Sequence, residues 1–259
     1  MALHTWGGDY KQSTESPYAK WAIEKGWVFI HPDFRGSNTN PKATGSELVV
    51  KDILSAVEYA KSTTKVDAAR IYLVEVSGGG YGTLLLAGRA PEVWAGASAW
   101  ASISDLKAWH AETSAKNPSY ARDIERSCGG KPDEGTPAEA EAKKRSPLTY
   151  LAAAKKLPVS INVGIHDGHK GSVPVSHSLH AFNALADPKD RLTAEQITWF
   201  TEKESVPDAL KGERADDPAH AKKKVLFRRK SGNIVLTVFE GGHEIIFEAA
   251  LSWLEQQRR

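Results

Sequence analysis

The stretch Ile71-Tyr72-Leu73-Val74-Glu75-Val76-Ser77-Gly78-Gly79-Gly80-Tyr81-Gly82 constrains this chain more than any other. An apolar, β-branched run stops at a Ser among glycines and passes directly into Thr83-Leu84-Leu85-Leu86-Ala87-Gly88-Arg89. That pattern spells a buried strand, a sharp turn and a helix. Such a turn lifts the Ser hydroxyl clear of the strand end. It also aims the first free N–H groups of the helix at whatever oxyanion forms there, so Ser77 is the candidate nucleophile. Gly78, Gly79 and Gly82 meet the need for small residues where strand and helix nearly touch. The same pattern also fits an ordinary Gly-rich turn or a phosphate-binding loop. One position departs from G-x-S-x-G: Glu75 stands two residues before the Ser, where that motif has Gly.

A chain of 259 residues fits one large α/β domain, or two small ones, and can bury a core without disulfides. Its one Cys, Cys128, makes a disulfide framework impossible and reads as a passive thiol. A net charge of +2 is too mild to argue for a nucleic-acid partner. The basic runs Lys222-Lys223-Lys224 and Arg228-Arg229-Lys230 read as solvated faces around a turn, with an anion site as the alternative. No apolar stretch approaches the roughly 20 residues of a membrane helix, and no signal peptide opens the chain. A soluble, cytoplasmic protein with no membrane partner is expected.

Along the chain, Ala2-Leu3-His4-Thr5-Trp6-Gly7-Gly8-Asp9 reads as the end of a strand entering a Gly turn, so N-terminal strands of the fold are expected to be missing. Ser16-Pro17 starts a helix that Gly26 stops, and Trp27–His31 is the next strand. From Glu47 to Thr63 the apolar residues recur at helical spacing. Further strands are Trp94–Ala101, Val159–Ile165, and a hairpin of Val225–Phe227 with Ile234–Phe239. Val173 to Leu185 is a helix begun by Pro174, and Glu244 to Gln257 closes the chain. Two polar excursions interrupt this alternation, one between Ser104 and Pro158 and one over residues 188–222. The first is long and helical in tendency, which suggests a cap over a site at residues 103–157. Strands alternating with helices imply a mainly parallel sheet covered on both faces, with ligands at the carboxyl ends of the strands.

A Ser nucleophile needs a base within hydrogen-bond reach and an acid to orient that base. His243, in Phe239-Glu240-Gly241-Gly242-His243, follows the last strand. Asp167, in Gly164-Ile165-His166-Asp167-Gly168-His169, follows the strand before the hairpin. Ser77, Asp167 and His243 thus occur in the chain order of α/β-hydrolases, at three separate strand ends. His243 also fits a histidine bonded at a helix start, and Asp167 a turn residue; Asp105 is the reserve acid. His166, His169, His177 and His180 are weighed as metal ligands and set aside, because only one His-x-x-His lies on a helix. Trp6, Trp100 and Trp109 fit either an aromatic subsite or a core.

With these residues in place the chain resembles the catalytic domain of the prolyl oligopeptidase family and its esterase-like relatives. The motifs that carry the resemblance are His4-Thr5-Trp6-Gly7-Gly8 in place of the family's His-Gly-Gly oxyanion loop, Asp33-Phe34-Arg35-Gly36-Ser37, Val76-Ser77-Gly78-Gly79, Arg145-Ser146-Pro147, Val173-Pro174 and Gly241-Gly242-His243. The resemblance implies an α/β-hydrolase fold and an oxyanion hole from the backbone N–H groups of Gly78 and Trp6. Three features depart from the family. Glu75 replaces the elbow Gly, the loop from Asp167 to Val173-Pro174 is three residues longer than Asp-x-x-Val-Pro, and no β-propeller accompanies the domain.

The expectation is a single α/β-hydrolase domain over residues 1–259, hydrolysing small carboxylic esters through Ser77, His243 and Asp167, with no cofactor and no metal. Glu75 is a candidate modulator, expected to stay out of water and either protonated or raising the His243 pKa. One rival keeps the chemistry but takes short peptides or acylated amino acids. The other is a binding or scaffold protein, natural or engineered, in which Glu75 has disabled the turn.

Overall fold

The computed structural model describes residues 1–12, 17–221 and 223–259. Among the described residues five strands form one sheet: β1 (Tyr72–Val76), β2 (Gly96–Trp100), β3 (Val159–Gly164), β4 (Val225–Ser231) and β5 (Ile234–Phe239). They lie side by side in the order β1, β2, β3, β5, β4, parallel except for the antiparallel β4–β5 hairpin. The register aligns Val76 with Trp100, Trp100 with Asn162 and Asn162 with Thr237, so the parallel strands end on one edge of the sheet.

The strands are apolar on both sides because both sides are covered. Along β1, Leu73 joins a core with α2 (Glu47–Thr63), α3 (Ser77–Arg89) and α7 (Val175–Leu185), while Tyr72 and Val74 pack with α1 (Pro17–Lys25) and α9 (Phe247–Glu255). The helix starts follow local chemistry. The Ser46 hydroxyl accepts the Val49 N–H at the head of α2, and Thr193 and Gln196 cap α8 (Ala194–Lys203) reciprocally. The long excursion folds as α4 (Leu106–Lys116), α5 (Pro118–Cys128) and α6 (Pro137–Arg145) with short 3₁₀ turns before β3.

Several expectations shift. Trp27–His31 does not join the sheet as a ladder strand. Its neighbour is the chain start, whose Ala2 N–H donates to Ile30 O and which itself makes a single parallel bridge to Val74. A groove of about 300 Å³ lies there, bordered by Trp21, Trp27, Phe29, Tyr72 and Leu251 and remote from the strand ends that carry the site. The last helix begins at Phe247, not Glu244, because the Glu244 carboxylate accepts the Gly242 N–H and pairs with Lys223, keeping the segment after His243 in a loop. The second excursion contains α8, which the polar reading passed over. The expected Ser16 cap and Lys222 lie outside the described residues. Of the basic runs, Arg228 pairs with Asp217, Arg229 with Glu213 and Lys223 with Glu244, which leaves no open anion cradle among these three. Among the described residues no helix is long and apolar enough to cross a membrane.

Candidate active site

At the end of β1 the backbone reverses through Ser77, the first residue of α3, at φ +58°. A non-Gly residue is strained in that region, and the strain is what lifts a side chain off the strand axis. Gly78 must be Gly, since a Cβ there would fall on the backbone N and Cα of Trp6. Trp6 N–H donates to no other group among the described residues, so the loop places a free donor beside the α3 N-terminus.

That first loop is held from several sides. Trp6 O accepts the Asn38 N–H at 2.9 Å, Trp6 Nε1–H donates to Asp123 Oδ2 of α5 at 3.1 Å, and its ring meets Tyr81 and Trp109 edge to face. The Ser37 hydroxyl reaches the Gly7 and Gly8 carbonyls at 3.1 Å, and the His4 ring stacks on Phe34 at 3.9 Å. Thus the His4 and Asp33–Ser37 motifs, about thirty residues apart in sequence, form one packed support.

Asp167 follows β3 in a loop and its side chain is out of water. Oδ1 accepts the N–H groups of Gly168 (2.9 Å) and Val173 (3.2 Å), and Oδ2 faces His243 Nδ1 at 2.8 Å. A carboxylate facing Nδ1 accepts its N–H and so keeps the ring proton on Nδ1, leaving the Nε2 lone pair free to act as a base. The structure therefore brings Asp167 and His243 together as the sequence suggested. It does not hydrogen-bond Ser77 to His243: Nε2 has the Ser172 hydroxyl at 3.5 Å, and Ser172 escaped the sequence reading. The extra length of the 167–174 loop was the available signal. His166 was also missed in its actual place. Its two ring nitrogens sit 2.7 Å from Glu204 and 2.8 Å from Glu240, which raises its pKa and ties the loops carrying Asp167 and His243 together.

The excursion helices reach both halves of this site. Trp109 of α4 packs on Trp6 and donates through Nε1 to Ser172 O at 2.8 Å, and Lys116 donates to Gly168 O at 3.2 Å. Beside the acid loop lies a cleft of about 570 Å³, bordered by Glu112, Lys116, Gly168, Ser172, Thr201 and Glu202. Trp6, Trp100 and Trp109 are all buried, which makes them core residues. Asp105 caps α4 by accepting the Lys107 and Ala108 N–H groups, so it is not a reserve acid. Of the four histidines weighed as metal ligands, His166 faces Glu204 and Glu240, while His177 bonds Glu112 and accepts the Ser104 N–H. Among the described residues no group of three His, Cys, Asp or Glu is placed to hold a metal.

Glu75 is 3% exposed, its side chain lying against Gly79, where any Cβ would overlap it. Oε2 accepts the Val76 N–H at 2.6 Å, and the Tyr18 hydroxyl faces the carboxyl without hydrogen-bond geometry. Burial dominates and pushes the carboxyl up to about 8, so it is mostly neutral at pH 7. No hydrogen bond or ion pair joins it to His243 among the described residues, which removes the expected route through the imidazole. Its consequence is for stability. Folding raises this carboxyl from 4.5 to about 8, so the native state keeps a proton that the unfolded state releases between those values. Stability is then greatest below the unfolded pKa and falls as pH rises through 8. Glu75→Gln, neutral at every pH, should match the wild type in urea at pH 5 and exceed it by on the order of 4 kcal/mol at pH 9. Parallel pH dependences for the two proteins would show that the carboxyl is not held neutral.

The sequence profile of the prolyl oligopeptidase family matches residues 13–204, about three quarters of the chain. No curated protein matches. Among solved structures, a dipeptidyl-aminopeptidase-IV-type protein of Bacteroides ovatus superposes with a TM-score of 0.61 at 17% identity, covering 98% of this chain and 31% of its own. An acylaminoacyl peptidase in complex with Z-Gly-Gly-Phe-chloromethyl ketone gives 0.52 at 18% identity, covering 85% of this chain and 28% of its own. The chain thus spans about a third of the length of these structures, and at these identities they establish the fold. With the profile match over most of its length and the mainly parallel sheet it shares with these structures, this chain belongs to the prolyl oligopeptidase family and has the α/β-hydrolase fold.

Proposed function

We propose that the protein hydrolyses carboxylic esters of small molecules through Ser77, His243 and Asp167. The observation that carries this reading is the 2.8 Å hydrogen bond from His243 Nδ1 to a buried Asp167, formed at the sheet edge where the strained Ser77 turn also ends. His243 Nε2 takes the Ser77 proton as Oγ attacks the ester carbonyl, and Asp167 steadies the imidazolium that results. The Gly78 and Trp6 N–H groups receive the oxyanion. The alcohol leaves, an acyl-enzyme remains, and water activated by His243 releases the acid. A bond between nucleophile and base that is open before substrate arrives is common in such sites and closes in the reacting complex.

Esters are the easiest substrates for this apparatus, because an alkoxide departs with less help from a general acid than an amine does. A second reading, cleavage of short or acylated peptides, has its own support in the peptidase family to which the chain belongs. Parallel assays on p-nitrophenyl esters of rising acyl length and on aminoacyl anilides separate the two. Ester turnover with kcat/KM at least tenfold above that on anilides is expected, and the reverse order would transfer the function to peptides. Labelling by a fluorophosphonate tests what both readings share, since only an activated Ser reacts. An unlabelled protein with its fold intact would favour the non-catalytic rival.

A further inference from the structure

We propose that Ser172 is a positioning residue that holds His243 in a resting orientation, so that activation of Ser77 requires the imidazole to exchange one serine for the other. This rests on the reading of Ser77, His243 and Asp167 given above. With Nδ1–H committed to Asp167, His243 has one lone pair, on Nε2, and it can accept from one hydroxyl at a time. The Ser172 hydroxyl lies 3.5 Å from that nitrogen, while Ser77 has no hydrogen bond to it.

The approach is built into the loop. Gly171 has no side chain at the point where a Cβ would fall on Asp167 Oδ1 and against the His243 Cβ, so the chain can pass directly beneath the pair and deliver Ser172 to its far nitrogen. Two contacts then fix the peptide that joins Ser172 to Val173. The Val173 N–H donates to Asp167 Oδ1, and Trp109 Nε1–H donates to Ser172 O from α4. The same Trp109 ring packs on Trp6, whose N–H faces the Ser77 turn. Ser172 also borders the 570 Å³ cleft, where a bound molecule would press on the loop that carries it. The three residues by which this loop exceeds Asp-x-x-Val-Pro are what give it the reach.

A hydroxyl donating to Nε2 stabilises the neutral imidazole and competes with Ser77 for the same lone pair. Its removal has two linked consequences. In Ser172→Ala the His243 pKa, followed by proton NMR of the ring, should rise, and the acidic limb of kcat/KM should move up with it. On the plateau above that limb, fluorophosphonate labelling of Ser77 and ester kcat/KM should both increase, by about two- to tenfold, the equilibrium worth of one hydrogen bond. Ser172→Thr, which restores the hydroxyl, should bring both values back. A Ser172→Ala protein with Ser77 labelled at the wild-type rate and an unmoved acidic limb would overturn the proposal while leaving the catalytic reading intact. So would slower labelling, which would make Ser172 a helper of Ser77. Failure of the catalytic reading looks different: Ser77 would go unlabelled in every variant while the His243 titration still shifted in Ser172→Ala.

Discussion

Ser77→Ala should abolish ester hydrolysis, with a loss of about 10⁴- to 10⁶-fold in kcat/KM, while the protein remains folded. The covalent route disappears with Oγ, and what remains is the polarisation of the carbonyl by the Gly78 and Trp6 N–H groups, which gives only residual catalysis. The fold should not suffer, because the Ser77 hydroxyl makes no hydrogen bond to the rest of the described chain, and Ala tolerates φ +58° about as poorly as Ser does. Steady-state rates on a p-nitrophenyl ester, with circular dichroism as the control, decide it. A variant retaining a tenth of the activity would remove Ser77 from the chemistry.

Asp167→Asn is expected to cost about 10³- to 10⁴-fold, and the reason lies in the donors around the carboxyl. Oδ1 accepts two backbone N–H groups, from Gly168 and Val173, and Oδ2 accepts His243 Nδ1–H. An Asn has one carbonyl oxygen, which those two N–H groups claim, so its NH₂ must face Nδ1. His243 then has to carry its proton on Nε2, and an imidazole of that tautomer has no lone pair to offer Ser77. The loss should appear in kcat with KM little changed, since the geometry survives and only the tautomer is wrong. Near-wild-type rates would move the acid elsewhere. Asp105 would not be the successor, because its carboxylate is spent capping α4.

Both expectations rest on residues that are legible in the sequence alone. The Ser77 turn shows in sequence because its requirements are local: a β-branched run, a residue that accepts a strained φ, and Gly where strand and helix touch. The parallel sheet shows because strands buried on both faces cannot alternate apolar with polar residues. Asp167 and His243 show because each follows a strand, and chain order restricts which strand ends they occupy. The helix over Glu47–Thr63 was readable because its apolar positions recur at helical spacing, and the Ser46 cap then fixes where it starts.

Other features were decided by partners distant in the chain. Whether Trp27–His31 pairs as a strand depends on what lies beside it, and its neighbour here makes only a single bridge to β1. Glu75 was recognisable as a departure, but its state is set by burial against Gly79 and Tyr18, which no local pattern reports. The tryptophans at 6, 100 and 109 belong to the core because several elements close over them. The Ser172 contact needs the loop, α4 and the His243 turn at once.

The sequence by itself determined which residues stand at the strand ends and in what order, because strand, turn and helix signals act over a few neighbouring positions. Only the tertiary structure decided that His243 rests against Ser172 rather than Ser77. That choice is made by hydrogen bonds between segments far apart in the chain, and their geometry exists only once the strands that carry the Asp167 and His243 loops lie side by side and α4 has reached the first of those loops.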